Sequence, residues 1–121
     1  MALTPIPAPQ SVIAEPLLIL GVKITFVIKP EREISDRSRA VALLDQRTCI
    51  LPGDVPWSVF KELFFHELEH LILMISGVTE SISARQEEMV CNNNGFALAD
   101  ILEPPMAMKK LYDRYQARHA Q

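Results

Sequence analysis

Residues 57–77 read WSVFKELFFHELEHLILMISG. Apolar side chains recur every three to four positions through this stretch, which is the period of one long helix. Asp54 precedes it as a candidate N-cap. Pro56 falls in the first turn, where its missing N–H does no harm, and Gly77 supplies the stop after Ile75 or Ser76. Polar residues interrupt the pattern at the centre, in His66-Glu67-Leu68-Glu69-His70. Residues four apart stand one above the other on a helix, so His66 and His70 project side by side. Their row is Val59, Leu63, His66, His70, Leu73; the next is Phe60, Phe64, Glu67, Leu71, Met74. Both rows are otherwise apolar, whereas Glu62, Glu69 and Ser76 share a more polar face. Both histidines and Glu67 are therefore expected to point inward and Glu69 to be solvated.

Burying two imidazoles and a carboxylate without partners is costly. A metal ion is the economical partner. Two neutral imidazoles at i and i+4 suit adjacent vertices of a zinc tetrahedron. The carboxylate following the first histidine then lies close enough to take a proton from a metal-activated water. The pattern H-E-x-x-H thus predicts Zn²⁺ on His66 and His70, with Glu67 as general base.

A catalytic zinc takes a third protein ligand and keeps one open position. The only other histidine, His119, is two residues from the C-terminus and reads as a tail residue. Glu87 and Glu88 are the better candidates, on a helix that starts near Ser81 or Ser83 and returns beside the first. Glu88 is preferred, Glu87 is the alternative and Glu80 a third choice. Cys91, one turn on, is small enough for close helix packing. Asn92, four residues after Glu88, can hydrogen-bond a zinc histidine.

Working outward, GVKITFVIKP (21–30) alternates Ile24, Phe26 and Ile28 with more polar neighbours and reads as a strand. Residues 40–51 suggest a hairpin, Ala40–Leu44 with Thr48–Leu51. Asn92-Asn93-Asn94-Gly95 is poor helix material and predicts a distortion or break in the second helix. Pro104-Pro105 precede a last amphipathic helix over Met106–Arg118. These elements predict an α+β fold: a small antiparallel sheet of about three strands packed on the histidine helix, a second helix carrying the third ligand, and a C-terminal helix. Residues 1–20 are expected to be a proline-rich arm, and residues 21–121 a single domain.

The 121 residues are 49% hydrophobic and 22% charged, an ordinary globular balance. A net charge of −3 offers no general attraction to nucleic acid. No basic segment precedes the first apolar stretch, which Glu15 and Pro16 interrupt, so neither a secretory signal nor a membrane span is expected. Cys49 and Cys91 form no metal-binding pair and are expected to be free thiols in a reducing, cytoplasmic setting.

HELEH, after a short hairpin and before a helix carrying EEMVCN, resembles minimal gluzincin-type zinc metallopeptidases. The nearest in pattern are ImmA/IrrE-like, SprT-like and minigluzincin proteins, many encoded by phages and prophages. The resemblance spans residues 22–102. It implies a zincin-like domain in which His66, His70 and Glu88 (or Glu87) bind zinc and Glu67 is the base. It further implies an upstream edge strand, within Thr48, Cys49, Ile50 and Leu51, that pairs with a peptide or protein substrate. Phe96-Ala97 come two residues later than in the ImmA-like pattern, and no DNA-binding helix-turn-helix is evident.

An oxyanion donor is not obvious. Tyr112, Tyr115 and Arg114 on the last helix are the only candidates there. That helix has a basic side (Lys109, Lys110, Arg114, Arg118) and an apolar one (Met108, Leu111, Tyr112, Tyr115), which suit core packing, a protein partner or a lid over the cleft. Two functions follow: a zinc peptidase, or a zinc-stabilised interaction module that cuts nothing.

Overall fold

A computed structural model describes residues 13–34 and 40–119. The fold is α+β: one four-stranded sheet and three helices. The strands are β1 (Ile13–Ile19), β2 (Val22–Lys29), β3 (Val41–Leu43) and β4 (Thr48–Pro52), and the helices are α1 (Trp57–Ser76), α2 (Ala84–Ile101) and α3 (Met106–His119). The sheet order is β1-β2-β4-β3. β1 and β2 are antiparallel, β2 and β4 parallel, and β4 and β3 antiparallel.

The sheet therefore has one strand more than expected and is mixed. The extra strand is β1, so the expected arm of residues 1–20 gives its last part to the sheet; residues 1–12 lie outside the described set. Pro16 is tolerated because β1 is an edge, where its missing N–H leaves no ladder bond unmade. The β1–β2 turn takes positive φ at both Leu20 (49°) and Gly21 (82°), the backbone of a two-residue hairpin.

Ile24, Phe26 and Ile28 point from β2 into the core, each fully buried. Phe26 meets Phe64 of α1 with ring centroids 5.6 Å apart. Cys49 and Leu51 of β4 join the same layer, as do Met108, Leu111, Tyr112 and Tyr115 of α3. The apolar side of α3 is therefore occupied by the core, and no α3 residue lines the cleft as a lid. Gly53 admits this packing, since a Cβ there would run into Ile28 and the Tyr115 ring.

α1 begins after Pro56 and ends at Gly77 in the left-handed conformation (φ 85°). Asp54 does not cap it; its carboxylate accepts the Glu31 N–H at 2.8 Å instead. Ser83 and Gln86 form a reciprocal capping box that starts α2. α2 then runs unbroken through Asn92–Gly95, against expectation. Two of those residues hold it to α1: Asn94 donates to Glu69 at 2.8 Å, and Gly95 lies directly against the His66 backbone.

Candidate metal centre

α1 and α2 pack antiparallel, with Glu87 and Glu88 beside His70 and Gly95 beside His66. Glu67 is buried with 6% of its surface exposed, while His66 and His70 line an open cleft and are partly buried. The inward orientation expected of all three follows from the two apolar rows of α1. Glu69 is only partly exposed, because it accepts the Asn94 amide.

Three donor atoms converge. His66 Nε2 and His70 Nε2 are 3.2 Å apart. Glu88 Oε1 lies 2.8 Å from His70 Nε2 and 3.4 Å from His66 Nε2. Ligands about 2.0–2.1 Å from a tetrahedral ion stand about 3.3–3.4 Å from one another. The triangle is thus close to one face of such a site, and two imidazoles plus one carboxylate form a donor set that suits zinc. Glu87 plays a different part: its Oε2 is 2.5 Å from His70 Nδ1, the ring nitrogen facing away from the triangle. A carboxylate there fixes the tautomer and aims Nε2. Asn92 lines the cleft beside His66, where its carbonyl oxygen favours the protonated ring.

Two further groups also bring metal-binding atoms together: His66, Glu67 and His70, and His70, Glu87 and the buried Cys91. Burial, with nearby carboxylates, pushes the Cys91 thiol up to about 12 in the metal-free protein, and Cys91 does not line the cleft. The His66–His70–Glu88 set is the better cation site.

The ionisation of the cluster follows from burial and charge. Burial raises the Glu67 carboxyl to about 7, with Glu88 adding to the rise; His70 and a hydrogen bond from the Ala42 backbone oppose it. Its Oε2 lies 3.8 Å from His66 Nε2. Burial would lower His70, but its contacts with Glu87, Glu67 and Glu88 outweigh that and raise it. His66 is lowered, chiefly by burial. A base poised near neutrality beside two imidazoles is the arrangement that general acid–base chemistry needs.

The cleft holds about 590 Å³ and runs between β3 and α2, floored by α1. Its β3 wall corrects one expectation. Thr48, Cys49, Ile50 and Leu51 lie in β4, which has β2 on one side and β3 on the other. Thr48, Cys49 and Ile50 are paired on the β3 side and Leu51 with Ile28 of β2, so β4 is an interior strand and not the open edge. The open edge is β3, and Ala40, Val41 and Ala42 face the cleft.

Other candidates fall outside the cleft. Tyr112 donates to the Val55 carbonyl at 2.6 Å. Tyr115 is buried and stacks on His119, whose ring nitrogen meets the Tyr115 carbonyl. Neither tyrosine, nor Arg114, Glu80 or His119, lines the cleft. Sequence reasoning missed the role of Ala42, which acts through its backbone and leaves no side-chain signal. It also missed Gly95, although a glycine inside a helix is itself a flag for close packing. Comparison with protein families, with curated proteins and with solved structures gives no match.

Proposed function

We propose that this protein is a zinc-dependent peptidase acting inside the cell. The reading rests above all on the Nε2–Nε2–Oε1 triangle, which opens onto a cleft with Glu67 beside it. A structural zinc site is closed by four protein ligands, whereas three ligands with an open side characterise a catalytic one.

In this reading His66, His70 and Glu88 hold the ion, while Glu87 aims the His70 imidazole. Zinc, when bound, polarises a carbonyl and lowers the pKa of water towards about 7. Glu67 takes the water proton and returns it to the leaving amine. Its position supports that role: the carboxylate is buried beside the triangle, 3.8 Å from His66 Nε2. The free edge of β3 is suited to bind an extended peptide by backbone pairing. The two buried, unpaired cysteines suit a reducing compartment.

One observation favours a second reading, a zinc-stabilised interaction module. Beyond the ligands and Glu67, Asn92 is the only side-chain N–H donor lining the cleft among the described residues, which leaves little else to stabilise an oxyanion there. Zinc content and peptide-library cleavage of the wild type and Glu67→Gln decide between the two. One zinc in each, with cleavage in the wild type only, supports the peptidase. Zinc in each without cleavage in either supports the module. A wild type that takes up no zinc removes both.

A further inference from the structure

The end of the cleft beyond Asn92 combines two features that the hydrolytic machinery does not use. The antiparallel register that sets Gly95 on His66 brings Phe96 level with the preceding turn of α1, which carries Glu62 and Leu63. Phe96 leaves 54% of its surface exposed. Val59 and Leu63 continue the apolar lining on the floor. Against these stands the Glu62 carboxylate, which makes no hydrogen bond or ion pair among the described residues. Its sequence neighbour Lys61 is committed to Glu103 at 2.8 Å. The cleft is lined by four glutamates and, among the described residues, by no lysine or arginine. Glu67, Glu87 and Glu88 have partners in the metal centre; Glu62 does not.

Apolar walls with one carboxylate match a side chain that is itself an apolar stem with a cationic head. Lysine and arginine are built so: the methylenes cover apolar surface and the charge stays at the tip. An aromatic face adds attraction for the cation. A purely apolar side chain would leave Glu62 facing it without a partner, which opposes binding.

We infer that this end of the cleft is a subsite for a lysine or arginine side chain next to the scissile bond, with Glu62 binding the cation and Phe96 the stem. The inference rests on the peptidase reading. It makes the substrates basic peptides, and Glu62 and Phe96 the residues that set specificity.

The test uses the zinc-loaded protein and paired peptides that differ only in lysine or norleucine at one position, with the pair scanned along the sequence. Cleavage is read by mass spectrometry. Binding to Glu67→Gln is read by fluorescence anisotropy, which needs no turnover. At one position the lysine peptide should be bound and cut about ten- to hundredfold better than its partner, the range of a charge-assisted contact. Glu62→Gln, with zinc content as the check on folding, should bring that ratio close to one. Equal handling of the two peptides at every position overturns the inference while leaving the peptidase intact, as does a ratio that survives Glu62→Gln. If zinc is bound and no peptide is cut or held, the peptidase reading itself fails and this subsite falls with it.

Discussion

Replacing Gly95 with alanine tests whether the approach of α2 to α1 builds the metal centre. Two effects oppose each other. Alanine is favoured over glycine inside a helix by about 1 kcal/mol. The new methyl, however, would lie 3.0 Å from both the His66 N and Cα and 3.2 Å from its Cβ. Comfortable carbon contacts begin at about 3.5–4.0 Å, so α2 must retreat by about 0.5–1 Å. The atoms it meets are backbone and cannot rotate aside, and such overpacking costs about 1–3 kcal/mol. Stability should therefore fall slightly or stay level. Metal affinity should suffer more, because Glu88 and Asn92 ride on the same helix. Their reach to the histidines, 2.8 and 3.4 Å for Glu88 Oε1, leaves little slack. A loss of about 10–100-fold in zinc affinity is expected, comparable to removing a residue that supports a ligand. Competition with a chromophoric chelator measures it, and unfolding with and without zinc gives a second reading, since each tenfold loss narrows the gap by about 1.4 kcal/mol. Unchanged affinity together with a more stable metal-free protein would mean that the helix pair has room to spare and that Gly95 does not position the site.

Glu88→Ala and Glu87→Gln should separate ligand from orienting carboxylate. The first should abolish stoichiometric zinc, while the second weakens it about 10–100-fold but still loads at excess metal; the reverse order would exchange their roles. In chelator, Glu67→Gln should stabilise the protein increasingly with pH. The folded carboxyl titrates near 7 against 4.5 for the free group, so the folded state keeps a proton that the unfolded state has already lost. Its cost therefore grows as pH rises from about 4.5 to 7, reaching about 3 kcal/mol above that window. Denaturant unfolding of both proteins at pH 5 and pH 8 checks this, and a difference that does not widen with pH contradicts the assigned burial.

The helix pair and the inward placement of its polar residues were legible because they are written in side-chain period. Two otherwise apolar rows carrying His66, Glu67 and His70 leave little freedom about where those groups point. Glu88 was likewise within reach of inference, since a turn after Gly77 must return α2 along α1. What stayed hidden depends on backbone and neighbours. Pro16 and Glu15 made β1 look like an interruption, yet an edge strand tolerates both. Local propensity argued for a break at Asn92–Gly95, but Asn94 and Gly95 are held by α1, and tertiary contact outweighs weak helix formers. Strand order was the costliest gap: the expected hairpin of Ala40–Leu44 with Thr48–Leu51 forms over Val41–Leu43 and Thr48–Ile50, but pairing alone does not say which strand β2 joins. That choice moved the open edge to β3.

The cleft also bears on how fast such a site can work. Electrostatic stabilisation of the developing oxyanion is a large part of acyl-transfer catalysis, and losing one donor typically costs about 10²–10³ in rate. Tyr112 and Tyr115, the residues of the right chemistry, are bonded or packed elsewhere. Among the described residues that leaves Asn92 as the one side-chain N–H donor in the cleft beyond the histidines, where an oxyanion hole commonly supplies two donors. Against a typical turnover of about 10 s⁻¹, a cleft lacking one donor should cleave its best peptide at about 0.01–0.1 s⁻¹. Single-turnover measurement at saturating enzyme isolates that step from product release. Turnover near the typical value would refute the reasoning that the cleft is short of a donor. A slow rate would instead fit a protease that acts on few partners, chosen by the β3 edge and the far end of the cleft.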